Sequence, residues 1–404
     1  MDREIAVICA SPPGFNPGMD SVDRALVYLG QKHGFGGRLR FYRLYAAAHA
    51  GGGGEETGIP YAILPATPDF FHAQGLVLYW GDFLHMRQYH ETVARRLVRE
   101  AACGDLAAAA RRVRQVFLQA EEDPGTLARS LTFGGTLLFN TLWDEADPTY
   151  GAALERFLRS CRGAWFRDVY SAFKACLMRG SAEPGCLGVD CANLVDADRA
   201  YPAAARPARE DRIGIFLGRS QANIEEMVGF GSELAAALGC RASWMSWGDR
   251  HAFPALPAIL ERPAVRNLDG FTEEPARSSA DSIPELFRYR ALVTDTYHIC
   301  VNAWNLGVPT VCLAARELSH GRSVNSGDGF APRDKREVFM SMYDALDFLV
   351  PGGELADRET RQRRVSHLVS LIAGGEAAAA VKSRIRRHAT VAEASFMRSL
   401  AGLL

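Results

Sequence analysis

The chain has 404 residues, 48% hydrophobic and 23% charged, and its 46 Lys and Arg against 47 Asp and Glu give a formal net charge of −1. That length allows two α/β domains of about 200 residues each, in a composition ordinary for a globular protein. With so little net charge no global field draws the chain to nucleic acid or anionic lipid, so an anionic ligand has to be held by a local cluster of Arg, Lys and backbone N–H groups.

In chain order, residues 4–10 read as a first strand, followed by a Pro/Gly-rich turn and a helix over 21–33 that Asp20 or Ser21 can cap. The start of the chain lacks a basic segment and a long apolar run, so it reads as that strand and not as a signal peptide. Residues 38–45 form a second expected strand, 51–54 a four-glycine loop, and 75–79 a short buried strand ending in Trp80-Gly81-Asp82. The Arg- and Ala-rich stretch 85–119 has helical periodicity. Residues 126–196 alternate helices and short strands, with a strand, polar turn and helix over 164–179 and a strand-like piece at 187–194. The Pro/Ala/charge mix of 198–211 marks a linker.

The pattern then restarts. A strand over 212–217, the turn Gly218-Arg219-Ser220, a helix over 223–238 and a strand over 241–247 lead through a loop-rich passage to a helix near 283–290. Residues 292–313 are the most informative stretch: three apolar residues, the turn Thr294-Asp295-Thr296-Tyr297-His298, a short helix, Gly307-Val308-Pro309 and a second β-branched run. A polar turn where a parallel strand gives way to a helix is where open α/β sheets bind ligands, although Thr and Asp are also common helix caps. Residues 340–348 and 355–404 read as helical. The expectation is an α/β chain with an N-terminal Rossmann-like domain over 1–197, a linker at 198–211, a second Rossmann-like domain over 212–352 and a C-terminal helical segment over 353–404, the two doubly wound domains facing a cleft.

Nine cysteines are scattered, mostly in apolar runs, and no CxxC pair occurs. Reduced core thiols in a cytoplasmic protein fit this better than a zinc site or a disulfide framework. No stretch reaches the roughly eighteen apolar residues that a bilayer span needs. The basic run 382–388 reads either as a solvated helix face or as a weak peripheral contact with the inner, anionic face of a membrane.

Several short pieces resemble the polysaccharide pyruvyl transferase family. Asn16-Pro17-Gly18-Met19-Asp20 is similar to its turn after the first strand, and Phe166-Arg167-Asp168-Val169-Tyr170-Ser171 to its Arg-Asp-x-x-Ser turn, with Val189-Asp190 following. Gly218-Arg219 is similar to the Arg that ends the first strand of its second domain. Thr294-Asp295-Thr296-Tyr297-His298 with Gly307-Val308-Pro309 resembles its Thr-Asp-Ser-Phe-His turn. Trp80-Gly81-Asp82, where a Gly-Gly pair is common, and Ile299, where Gly is common, depart from the pattern. The resemblance implies a GT-B-like fold and a transferase of polysaccharide biosynthesis. Its pyruvyl group would come from phosphoenolpyruvate as co-substrate, without a cofactor, and form a cyclic ketal on a sugar diol of a glycan precursor.

That chemistry calls for cationic forks for phosphate and carboxylate and a group that titrates near neutrality. His298 is the expected acid/base or a donor to the phosphate, with Asp295 as its orienter or as a helix cap. Arg219 is the anion clamp, joined by Thr294, Thr296, Lys335 and Arg333 on the donor side, and the N–H groups of the helix start add to anion binding. Asn16, Asp20 and Asp82 are the expected acceptor-binding residues. Arg167 and Asp168 read as a structural turn. Trp244, Trp247 and His251 could meet a sugar or base ring, though a Trp in a strand is commonly core. No metal site is expected. Neither a dinucleotide fingerprint nor a P-loop occurs. The alternative is a glycosyltransferase of the same fold using a nucleotide-linked sugar, with an acidic residue among Glu261, Asp269, Glu273 and Glu274 on the ribose; a third reading is a non-catalytic binding protein.

Overall fold

The computed structural model describes residues 4–10, 14–44, 58–65, 69–142, 147–180, 187–219, 223–274, 278–314 and 334–403. The four-glycine loop at 51–54 and Arg333 lie outside them. The first sheet contains β1 (Ile5–Ile8), β2 (Leu39–Arg43), β3 (Tyr61–Ile63), β4 (Leu76–Asp82), β5 (Ser130–Gly135) and β6 (Gly163–Phe166), in the order β3-β2-β1-β4-β5-β6. The second contains β7 (Arg212–Phe216), β8 (Arg241–Trp244), β9 (Ala291–Thr294), β10 (Thr310–Ala314) and β11 (Leu349–Pro351), in the order β11-β10-β9-β7-β8. Among the described residues every strand pairing is parallel.

Parallel strands are covered on both faces, which is why their sequences are continuous apolar runs rather than alternations. All of Ile5–Ile8 and all of Ala291–Thr294 are buried. The strand orders are the two doubly wound ones, and each reverses direction once: between β1 and β4 in the first sheet, between β7 and β9 in the second. The carboxyl ends of the strands flanking such a reversal are the ligand-binding edge of an open α/β sheet.

The chain divides into two units. One comprises Met1–Ser11, Val22–Leu194 and His388–Leu404; the other comprises Pro12–Ser21 and Val195–Arg387. The first unit thus includes the end of the chain: the Phe396 ring lies 5.1 Å from Phe133 and 5.6 Å from Trp165 in edge-on contacts. Residues 198–211, expected as a linker, carry part of the helix Ala197–Ala200 and belong to the second unit.

Several local expectations need correction. The first helix is Pro17–His33, not 21–33, because Asn16 caps it in place of Asp20 or Ser21: the Asn16 side chain accepts the Gly18 N–H at 3.0 Å and its carbonyl accepts the Asp20 N–H at 3.1 Å. Proline is tolerated at the first helical position, where its missing N–H has no partner to lose. The stretch 85–119 is two helices, Arg87–Arg99 and Leu106–Leu118, the second started by Asp105 accepting the Ala108 N–H at 2.8 Å. Residues 187–194 make one isolated bridge, Leu187 with Phe166, and then a tight turn over Cys191–Leu194. Three cations of the basic run 382–388 are tied within the second unit: Lys382 pairs with Asp198 at 3.1 Å, Arg384 with Asp344 at 2.9 Å and Arg386 with Asp196 at 2.7 Å. Cations engaged in this way give the membrane-contact reading no support. Among the described residues no helix is long and apolar enough to cross a membrane.

Candidate functional site

The turn after β9 is built by its own polar residues. Thr294 closes the strand, and its hydroxyl accepts the Thr296 N–H at 3.0 Å. Asp295, only 2% exposed, faces the neighbouring strand end: one carboxylate oxygen accepts the Gly218 N–H at 2.9 Å and the Thr296 hydroxyl at 3.1 Å, the other the Arg219 N–H at 2.8 Å. Asp295 therefore clasps the end of β7 to the end of β9 across the reversal point of the second sheet. The helix Tyr297–Leu306 follows, and Thr296 at its N-cap makes no side-chain cap hydrogen bond. Its other end is stopped by Gly307, whose φ of 81° favours glycine, and the chain returns into β10.

His298 lies in the first turn of this helix and is 3% exposed. Gly18 sits against it so closely that a Cβ there would fall 2.2 Å from the His298 Cβ. Asn302, one helical turn on, donates to the His298 carbonyl at 2.8 Å and to the Ser21 hydroxyl at 3.0 Å. Residues 14–21 are held again at Phe15, which donates to the Asp249 carboxylate at 3.0 Å and accepts the Asp249 N–H at 3.1 Å. The second unit thus sets Thr294, Asp295, Thr296 and His298 at the carboxyl end of β9, and the segment that carries Asn16 and Asp20 touches His298 through Gly18.

The cations of this region hold defined positions. The Arg219 guanidinium lies 4.6 Å from the Phe253 ring centroid and the Lys335 ammonium 4.7 Å from that of Tyr297. Arg336 was not singled out in the sequence, yet it donates to the carbonyls of Asp295 at 2.7 Å and Leu313 at 2.9 Å while pairing with Asp334. Asn302 was missed too; its place four residues after His298 is the one signal that could have found it.

Other residues belong to the first unit. Asp82 ends β4. Asp168 caps the helix Val169–Arg179, accepting the Ser171 N–H at 2.8 Å and the Thr136 hydroxyl at 2.9 Å. Arg167 and Asp190, both buried, pair at 3.3 Å. His72, Glu122 and Asp123 form a group whose possible ligand atoms lie within 4.8 Å of one another. Each has a use without an ion: Asp123 caps the helix Pro124–Leu127, and His72 pairs with Glu122 at 3.1 Å. Burial of Glu122 raises its pKa above the ordinary range.

Beside the reversal point, the second unit holds a cavity of about 510 Å³. Phe216, Trp244 and Trp247 supply aromatic wall, and Asp249, Glu261, Glu273 and Glu274 supply carboxylates. Asp269, also considered for a ribose contact, instead pairs with Arg241 at 3.2 Å and Arg212 at 3.5 Å.

No protein-family profile matches the chain, and no curated protein matches it in sequence. Solved structures match it in fold. The UDP-GlcNAc 2-epimerase of Neisseria meningitidis, bound to UDP-GlcNAc, is 9% identical with a TM-score of 0.52, covering 98% of this chain and 100% of its own. The UDP-GlcNAc 2-epimerase of Methanocaldococcus jannaschii is 10% identical with a TM-score of 0.49, covering 90% and 92%. Phytolacca americana UGT2, complexed with UDP-2fluoro-glucose and pterostilbene, is 13% identical with a TM-score of 0.46, covering 96% and 94%. At such identity the likeness shows the fold alone. The resemblance to the pyruvyl transferases is thereby corrected: no family profile supports it, and the fold is matched by a UDP-GlcNAc 2-epimerase. The matching pieces are short strand-end turns, and here Asn16, Asp168 and Asp295 do what such turns need in any parallel sheet, capping helices and clasping loops. The chain is a two-domain α/β protein of GT-B-like fold.

Proposed function

We propose that this protein is an enzyme that acts on a nucleotide-linked sugar and transfers its glycosyl group to a hydroxyl acceptor. The observation that carries this reading is the reversal point of the second sheet, where Asp295 fixes the backbone of Gly218 and Arg219 beside the N-terminus of the helix Tyr297–Leu306. Helix N-termini attract anions through their N–H groups and dipole, and Arg219 adds a planar fork suited to a diphosphate. The TM-score of 0.52 to a UDP-GlcNAc-bound enzyme supports the same ligand class.

In the proposed reaction the acceptor oxygen bonds to the anomeric carbon as the bond from that carbon to the diphosphate oxygen breaks. His298 takes the acceptor proton, and the nucleoside diphosphate leaves with its added charge held by Arg219 and the helix N-terminus. Lys335 adds positive charge to the same edge. Thermal denaturation with UDP and with UDP-sugars tests this. A ligand at about 100 times its Kd adds about 2.7 kcal/mol of stability, and the shift should shrink in Arg219→Ala. Turnover of a UDP-sugar without an added acceptor would place the reaction on the donor alone. Absence of a shift with any nucleotide would refute the proposal.

A further inference from the structure

The helix Val169–Arg179, which follows β6 in the first unit, is apolar on its outer side as well as its inner one. Ser171, Ala172, Ala175 and Met178 are buried. Val169, Tyr170, Phe173 and Leu177 face outward, 43%, 39%, 63% and 42% exposed. Steps of three and four residues put these four on one stripe. The other large apolar side chains exposed among the described residues, Ile63, Leu106, Leu346 and Val391, stand singly on separate elements, as scattered surface residues ordinarily do. A helix that is apolar all round is normally buried, so the stripe calls for a cover.

Charge narrows what that cover is. The two cations of the helix are engaged within the first unit: the Lys174 ammonium donates to the carbonyls of Leu137, Leu138 and Asn140 at 3.2, 2.9 and 2.7 Å, and Arg179 lies 3.4 Å from the Cys161 sulfur. The stripe itself holds no charged residue, so it offers little to lipid phosphates or to a charged partner. It is complementary to itself. In a two-fold contact residue i meets j and j meets i. Antiparallel pairing of two such helices about Phe173 sets Val169 against the second copy's Leu177, Leu177 against its Val169, and the two Phe173 rings against each other. No like charges meet on that axis.

Area agrees. At about 150–200 Å² for each fully extended residue the stripe shows on the order of 300 Å², and two copies bring on the order of 600 Å². That suits the apolar centre of a specific interface, which buries about 1,200–2,000 Å² in total with its polar rim. The neighbouring helix Pro148–Ser160 is tied to this one by Arg159, which donates to the Met178 carbonyl at 2.9 Å. Its Glu155 and Arg159, both partly exposed, offer charges of both signs for the rim.

We infer that the stripe is the centre of a two-fold interface with a second copy of this chain, the helix Val169–Arg179 packing antiparallel on its twin about Phe173.

Sedimentation velocity of the full chain from about 1 to 100 μM tests this. The natural protein should pass from monomer to dimer within that range. Phe173→Glu, which sets like charges face to face on the axis, and Leu177→Glu should each weaken the dimer at least about tenfold; Val391→Glu, on a separate exposed site, should not. All three positions are exposed, and circular dichroism matching the natural protein's shows that the variants fold. A mixture of Phe173→Glu and Phe173→Lys should dimerise more tightly than either alone, because opposite charges then meet across the axis. A natural protein that stays monomeric, a dimer indifferent to both stripe variants, or a mixture no tighter than its components overturns the inference. So does a monomer that co-sediments with phosphatidylglycerol vesicles and no longer does so with Phe173→Glu, which would give the stripe to a lipid surface.

Discussion

Replacing Asp295 separates a clasp from a catalytic carboxylate. Its two oxygens accept two backbone N–H groups and one hydroxyl, all at 2.8 to 3.1 Å. Asp295→Ala strands the Gly218 N–H in a buried place, while the Arg219 N–H, on an exposed residue, can regain water in part. A stranded buried donor costs about 1–3 kcal/mol and a lost charge-assisted bond about 1.5–3 kcal/mol, so the alanine variant should lose about 3–5 kcal/mol. Asp295→Asn is more telling. Its one carbonyl oxygen can serve Gly218 and Thr296, but its NH₂ then faces the Arg219 N–H, donor against donor, for a loss of about 1–3 kcal/mol. Urea denaturation followed by tryptophan fluorescence measures both variants, and calorimetry measures UDP affinity, which should fall with stability because the clasp shapes the anion-binding turn. An asparagine variant with the natural protein's urea midpoint and UDP affinity but no turnover would refute the clasp and make Asp295 a catalytic group.

Acid should destabilise the first unit through two buried histidines. Burial, with the neighbouring His90, lowers the pKa of His85 to about 3; burial likewise lowers that of His90 to about 4. Both ordinary values are near 6.5, so the unfolded chain takes up protons below that pH while the native state resists them. Stability is complete above pH 6.5 and falls through the window down to pH 3–4, by about 2 kcal/mol per histidine at pH 5. Urea midpoints that do not differ between pH 7 and pH 5 would contradict this. Gly18→Ala drives a Cβ to within 2.2 Å of the His298 Cβ; it should lower stability by at least about 1–3 kcal/mol, and an unchanged melting temperature would show that residues 14–21 do not rest on His298. Arg167→Ala leaves buried Asp190 without its partner at 3.3 Å and should lose about 3–5 kcal/mol, with part regained in the double variant lacking Asp190 as well; equal stabilities of the single variant and the natural protein would rule out a structural pair.

The fold was legible where hydrophobic runs and turn chemistry agree. The run 292–313 shows strand, helix and strand because its apolar residues are interrupted only by a polar turn and by Gly307-Val308-Pro309. Legibility failed where one pattern masked another and where tertiary contacts decide. The Ala- and Arg-rich helical periodicity on either side hid a break that Gly104-Asp105 signals locally: the first helix ends at Arg99 and the chain restarts at the Asp105 cap. Asn16 could be read as a turn residue but not as the cap, because Pro17 after it looks like a breaker and is instead a favoured first helical residue. In the site, Thr294, Asp295 and His298 stood out by type and position, but whether a carboxylate clasps a loop or handles a proton depends on what lies across the sheet, here Gly218 and Arg219, far away in sequence. The cavity was legible only in part: Trp244, Trp247, His251, Glu261, Glu273 and Glu274 stood out as ring or ribose candidates, but that they line one cavity with Phe216 depends on strand ends and loops far apart in sequence.

The most direct test of the nucleotide-sugar reading is calorimetric titration of the full chain with UDP, on the natural protein and on Arg219→Ala. The account predicts saturable binding, weakened about tenfold or more when a charged hydrogen-bond donor to the diphosphate is removed. No binding of UDP, or binding of equal strength in both proteins, would contradict it.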